Sequence, residues 1–204
     1  IANVLAEDLI ERLGDGPVHR VAIRVGALPQ TPTGALGYAL AFSPGGLINE
    51  YAEPCEVLEN GEVVDVEPLT RFETVDWEPW GPLEAFSTAG GTSTLCHDHA
   101  GRVDALEYKT LRFQGHGLAF RSMFELGLFD EVPWTVGTTS VAPRPVLVEA
   151  LRTHLPHGAP DVVLVRVWAT QGTRHLGVEL VDVHDGRFSA LARMLSCSVG
   201  GFRG

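Results

Sequence analysis

Apolar positions recur along the chain with two periods, and each period marks a kind of element. Val4, Leu5, Leu9, Ile10 and Leu13 fall on one face at helical spacing, and Gly14 ends the run. Val21, Ile23 and Val25 alternate with Arg20, Ala22 and Arg24, the pattern of a strand with one buried face. Residues 26–37, punctuated by Pro29, Pro32, Gly34 and Gly37, read as a loop. Ser43-Pro44 is an N-cap followed by proline at the first helical position, opening a short helix through Tyr51. Asn60-Gly61 between two apolar runs predicts a hairpin over 56–66. Residues 83–86 and 105–113 read as strands. Residues 115–126 read as a helix stopped by Gly127, and 143–155 as another with Val146, Leu147, Ala150 and Leu151 on one face. Residues 162–170 and 176–183 alternate on either side of a Gln171-Gly172 turn. His184-Asp185-Gly186 then turns into a further strand over 188–195. Strands outnumber helices and mostly neighbour each other in antiparallel pairs. The pattern therefore predicts an α+β domain, a largely antiparallel or mixed sheet with helices on one face.

Composition narrows the partners. The 204 residues make one large domain or two small ones, and a 45% hydrophobic content is enough for a packed core without disulfides or metal. A net charge of −11 repels nucleic acid and anionic membranes, and no basic patch offsets it. No apolar run approaches the ~20 residues a membrane span needs. The three cysteines, Cys55, Cys96 and Cys197, are odd in number and none sits in CxxC spacing. This disfavours a disulfide framework or a zinc ribbon and suits a reducing cytoplasm, with Cys55 and Cys197 packed as small hydrophobes.

Candidate chemistry is sparse. No GxGxxG follows a strand and opens a helix, and no phosphate-binding loop is present, so no cofactor-binding residue is expected in the chain. Cys96-His97-Asp98-His99 is the densest metal-capable cluster. It lacks a third ligand at suitable spacing and reads as a polar surface turn, with no metal. Ser93 and Ser196 sit in no nucleophile elbow. The informative segment is Lys109-Thr110-Leu111-Arg112-Phe113-Gln114-Gly115-His116-Gly117. Thr110 and Arg112 share one face of a strand and Leu111 takes the other, while Gly115 lets the backbone turn close to a ligand. An arginine fork at a strand end suits a carboxylate. The residues alone leave open whether that carboxylate belongs to a substrate or to an internal acid such as Glu84 or Glu50.

These segments, in order, carry a resemblance: Ile1-Ala-Asn-Val-Leu-Ala, Arg24-Val-Gly-Ala-Leu-Pro-Gln30, Gly37-Tyr38, Phe42-Ser-Pro44, Leu47-Ile-Asn-Glu-Tyr51, Leu83-Glu-Ala-Phe86 and Lys109-Thr-Leu-Arg-Phe-Gln-Gly-His116. Together they resemble the C-terminal, substrate-binding domain of the saccharopine dehydrogenase family, over residues 1 to about 195. The resemblance implies a fold like the C-terminal domain of glyceraldehyde-3-phosphate dehydrogenase. It also implies that residues 1–204 form a substrate-binding and dimerisation domain within a homodimer. A nucleotide-binding Rossmann domain, expected before Ile1, would bind NAD or NADP. Glutamate-forming saccharopine dehydrogenases carry a Tyr-Pro-Asn-Arg-Asp-like segment, and Gly91 stands here where its arginine would fall. The glycine-rich version is similar to lysine 6-dehydrogenases. Oxidation of L-lysine at its ε-carbon is the activity the resemblance implies first. A saccharopine dehydrogenase, an opine or polyamine reductase, and a non-catalytic module are the alternatives. By the same resemblance Thr110, Leu111, Arg112 and Gly91 are the substrate-binding residues. A neutral His116, or Glu50 or Glu84, is the candidate proton acceptor.

Overall fold

The computed structural model describes residues 1–184. Its first element, α1 (Ala2–Leu13), buries Ala6, Leu9, Ile10 and Leu13, spaced one, three and four apart along a single stripe. Val4, expected on that stripe, lies on the opposite side of the helix and is 46% exposed. Gly14, at φ +82°, takes the chain out of the helix. β1 (Val18–Pro29) then runs four residues beyond the alternation that marks it in sequence. β9 (Asp161–Gln171) pairs with it to the end, Pro29 opposite Asp161, and this long ladder overrides the turn-forming character of Gly26 and Pro29.

The main sheet has the order β10-β9-β1-β6-β2-β3, with β10 spanning Arg174–His184, β6 Val103–Phe113, β2 Cys55–Glu59 and β3 Glu62–Val66. Among these pairs only β1–β6 is parallel. β6 is long enough to use two partners along one edge. Its first half meets β2, with Leu58 opposite Leu106. Its second half meets β5 (Gly81–Ser87), which carries β4 (Glu73–Trp77) outside it. The β2–β3 hairpin turns at Asn60 and Gly61, both at positive φ (53° and 79°), as an Asn-Gly turn requires.

Register and the two-residue period sort the side chains into faces. Val21, Ile23 and Val25 stand with Leu106, Tyr108 and Thr110, since Val21 pairs with Leu106 and Val25 with Thr110. Arg112 continues that face, and so do Phe86 and Glu84 on β5, which pair with Thr110 and Arg112. α1 packs on this face over Val163, Val165 and Val167. α2 (Pro44–Ala52), α4 (His116–Glu125) and α5 (Pro143–His154) gather on the same face around Phe86, Tyr51 and Phe120. The helices thus share one side of the sheet. On the other side β4 folds back so that Val75 and Trp77 pack on Leu28, Leu111, Val162 and Leu164.

Four elements were not anticipated: β4, the one-turn helix α3 (Leu95–His99), and the small separate hairpin of β7 (Trp134–Val136) with β8 (Thr139–Val141). Cys55 and Cys96 are buried free thiols. The turn after His184, the strand expected over 188–195, Ser196 and Cys197 lie outside the described residues. Among the described residues no helix is long and apolar enough to cross a membrane.

Candidate substrate-binding site

Three segments meet at the C-terminal end of β6, and each does so for a local reason. β6 presents Thr110 and Arg112 to the helical side. Gly115, in the left-handed region at φ +91°, turns the chain into α4 so that His116 is its first residue. The amides of Gly115 and Gly117 at that helix start donate to the Glu84 carboxylate, one of them at 3.0 Å. On the third segment Ser43 caps α2, its Oγ accepting from the Gly46 amide at 3.1 Å, with Pro44 next in line. α2 then delivers Glu50 and the fully buried Tyr51.

A hydrogen-bonded chain runs through the centre. The His116 Nδ1–H donates to the Leu36 carbonyl at 3.0 Å, which leaves Nε2 as an acceptor. The Tyr51 hydroxyl donates to that Nε2 at 3.0 Å and accepts from Arg112 Nε, also at 3.0 Å. Arg112 Nη1 donates to the Leu111 carbonyl at 2.9 Å, and the guanidinium lies 5.2 Å from the centre of the Tyr38 ring. Burial, with help from the Arg112 charge, pushes the His116 pKa down to about 3, so the ring is neutral. Burial likewise pushes the Tyr38 and Tyr51 phenols up, so both keep their protons.

Arg112 is 4% exposed yet has no carboxylate partner among the described residues. Neither acid weighed for it in the sequence forms that pair. Glu84 is committed to the start of α4, and Glu50 makes no ion pair among the described residues. Burial opposes the Arg112 charge, and with Tyr51 and Tyr38 protonated the Glu50 carboxylate is the negative charge that favours it; the Arg112 pKa stays above the usual arginine value. Nη2 makes no hydrogen bond among the described residues. The outer edge of the fork therefore keeps its donors free, in a setting where an uncompensated buried charge is costly.

The other anticipated residues separate. Thr110 is buried, its hydroxyl 2.8 Å from that of Thr88. Leu111 is placed away from the site. Alternation puts its side chain on the opposite face, in the core with Leu28 and Leu164, and only its carbonyl reaches Arg112. Gly91 lies against the ring of Tyr108, where a Cβ would come within 2.2 Å of a ring carbon. Gly91→Ala should force that ring aside and lower stability by about 1–3 kcal/mol, the cost of overpacking. Urea denaturation checks this, and an unchanged midpoint would show that the contact is not tight. Cys96-His97-Asp98-His99 is not a polar surface turn: it lies in the helix α3, with Cys96 and His99 buried. His97 Nε2 lies 3.2 Å from Glu56, and His99 Nε2 lies 2.9 Å from Glu7.

Sequence reasoning missed Tyr38 and Tyr51 as members of the site. A signal was there: Gly37-Tyr38 and Leu47-Ile-Asn-Glu-Tyr51 are among the segments that carry the family resemblance.

The chain is similar to known proteins in sequence pattern and in fold. The family model of the saccharopine dehydrogenase C-terminal domain matches residues 1–200. A solved structure of similar fold is apo histidine-tagged saccharopine dehydrogenase (L-Glu forming) from Saccharomyces cerevisiae, at a TM-score of 0.70 and 14% sequence identity. The match covers 100% of this chain and 64% of the yeast chain, so the sequence spans less than two thirds of that protein.

Proposed function

The chain belongs to the saccharopine dehydrogenase C-terminal domain family, and we propose that it is the substrate-side domain of an amino-acid oxidoreductase acting on a carbon–nitrogen bond, with Arg112 holding the substrate carboxylate. The observation that carries this reading is the buried guanidinium that has no acid partner among the described residues, its outer donors unused there. A substrate carboxylate supplies the missing negative charge through a bidentate, charge-assisted contact.

The surrounding residues support that role. Tyr51 orients the fork through Nε, and His116 orients Tyr51. His116 is therefore a positioning residue in this reading and not the proton acceptor expected from the sequence: its Nε2 lone pair is taken by Tyr51 and its Nδ1 proton by Leu36. The Thr88–Thr110 contact joins the end of β5 to β6 one alternation before Arg112.

L-lysine is the substrate the site favours, oxidised at its ε-carbon to an imine whose hydrolysis releases ammonia and leaves a semialdehyde that cyclises. Gly91 supports lysine over saccharopine. The larger substrate calls for a further cation near this position, and the Tyr108 ring fills the space a side chain at residue 91 would need.

The family's chemistry uses NAD or NADP as hydride acceptor. One strand–turn–helix unit, β6 into α4, has the geometry in which a helix start meets a pyrophosphate. It does not fit that group, because the Glu84 carboxylate already takes the Gly115 and Gly117 amides and would repel a second anion. A nicotinamide cofactor needs residues other than these.

The test is a substrate panel with the intact protein, following NAD and NADP reduction with L-lysine, saccharopine and simple amines. L-lysine is expected to give the highest kcat/KM. A higher value for saccharopine would overturn the choice of lysine, and no turnover with any amino acid would overturn the oxidoreductase reading.

A further inference from the structure

Resting on the reading of Arg112 as a carboxylate site, we infer that Glu50 is the second half of an α-amino-acid head-group receptor, binding the substrate's α-ammonium while Arg112 binds its α-carboxylate. The argument starts from position. Glu50 precedes Tyr51, whose hydroxyl holds Arg112 Nε at 3.0 Å. Its backbone carbonyl accepts from the Ala89 amide at 2.9 Å, which fastens α2 beside the loop that runs from Thr88 to Gly91. Thr88 in turn meets Thr110, two residues before Arg112 on the same strand face. Glu50 is thus tied to Arg112 through its neighbour Tyr51, and through its own carbonyl to the loop whose Thr88 meets β6.

Its side chain is uncommitted. Among the described residues the Glu50 carboxylate forms no ion pair and no hydrogen bond, although it is partly buried. Glu50 and Arg112 still sense each other: burial raises the Glu50 pKa and the Arg112 charge pulls it part of the way back, while Glu50 favours the charged guanidinium. They are close enough to interact and too far apart to bond. Two opposite, partly desolvated charges separated by a gap are poorly compensated by each other. A zwitterion whose carboxylate and ammonium sit on one carbon spans such a gap and satisfies both ends.

A third group lies nearby. Among the described residues the Tyr38 hydroxyl is buried without a hydrogen bond of proper geometry, although the Ala41 amide lies near enough to favour its ionised form. The Arg112 guanidinium lies against the Tyr38 ring. A buried hydroxyl without a partner is rare unless something outside the chain completes it. Glu50 is partly exposed while Arg112 is 4% exposed, so an α-ammonium on Glu50 would sit nearer the surface than an α-carboxylate on Arg112.

Isothermal titration calorimetry on the intact protein separates the possibilities. The ligands are L-lysine, L-norleucine, saccharopine and 6-aminohexanoate. Norleucine keeps the head group and lacks the distal amine; 6-aminohexanoate keeps the carboxylate and distal amine and lacks the α-ammonium. Glu50→Gln should weaken L-lysine and L-norleucine about ten- to a hundredfold and leave 6-aminohexanoate within about twofold. Thermal melting of the same variant, which keeps the side chain's shape, should match the parent protein. Unchanged affinity for norleucine would overturn the assignment of Glu50 while leaving the Arg112 reading intact. Equal weakening of norleucine and 6-aminohexanoate would overturn it too, since Glu50 would then act without regard to the α-ammonium. If the parent protein binds none of the four, the Arg112 reading fails and this assignment falls with it.

Discussion

Arg112→Ala should lower kcat/KM for the amino-acid substrate about ten- to a hundredfold, the loss of a charge-assisted contact of roughly 1.5–3 kcal/mol. Arg112→Lys should recover only part of this. An ammonium cannot present the planar edge that Nε and Nη1 now orient toward Tyr51 and the Leu111 carbonyl. A second consequence follows from the absence of an internal acid. Removing a cation from a buried ion pair strands a carboxylate and lowers stability. Arg112 has no such partner among the described residues, so Arg112→Ala should cost little beyond packing against Tyr38 and the loss of the Tyr51 hydrogen bond. Melting temperature and kcat/KM measured on the same variant decide the matter. A large melting drop with normal kcat/KM, at a temperature where the variant is folded, would retire Arg112 as a substrate ligand. Retained melting with activity lost towards lysine, and less towards an amine lacking the carboxylate, would support it.

How much of this was legible in the sequence depended on the range of the forces involved. The elements held by their own periodicity were readable: α1 from its apolar stripe, the β2–β3 turn from Asn60-Gly61, α4 from the glycines on either side of it, and the β9–β10 pair from its alternation. Elements that exist because of a distant partner were not. β1 extends to Pro29 only because β9 pairs with it there. β4 is a five-residue segment in which exposed Thr74 and Asp76 alternate with buried Val75 and Trp77, and its partners are β5 and the far face of the sheet. The candidate site divides in the same way. The shared face of Thr110 and Arg112 follows from a two-residue period. The identity of Arg112's neighbours does not, since Tyr38 and Tyr51 lie 74 and 61 positions away along the chain. His116 shows the limit most plainly. A histidine beside a glycine turn invites a catalytic reading, and only the structure shows its ring packed on Phe120 with Nδ1 bonded to the Leu36 carbonyl and Nε2 to Tyr51.

The largest stability effect is expected on the opposite face of the same strands. Arg24 is fully buried, stands 5.0 Å from the centre of a Trp168 ring, and bonds both Glu73 and Glu107, the latter at 2.6 Å. Lys109 adds a bond to Glu73 at 2.8 Å, and Arg20 a bond to Glu107. Arg24→Met keeps the apolar stem and removes the charge these acids share. Breaking a buried pair from one side costs about 3–5 kcal/mol. Lys109 and Arg20 remain to compensate, so the lower end applies, and about 3 kcal/mol would lower the melting temperature by roughly 6–12 °C in a protein of this size. The pH dependence has a definite sign. Burial alone would raise the Glu107 pKa, but Arg24 and its neighbours outweigh it and hold the carboxylate at about 2 instead of 4.5; Glu73 is lowered for the same reasons. A carboxylate depressed on folding contributes its stability above its unfolded pKa and loses it as pH falls through the folded value. The gap between parent and Arg24→Met should therefore be full above about pH 4.5 and close as the pH approaches 2. Urea denaturation at neutral pH, at 4.5 and at 3 measures it. A gap that stays constant with pH would mean that the variant's loss comes from packing on Trp168, and no gap at neutral pH would remove the network from the fold's stability altogether. Arg24 and Lys109 alternate with Val25 and Thr110 on the paired strands β1 and β6. The charges on one face thus fix the register that brings Thr110 and Arg112 to the other.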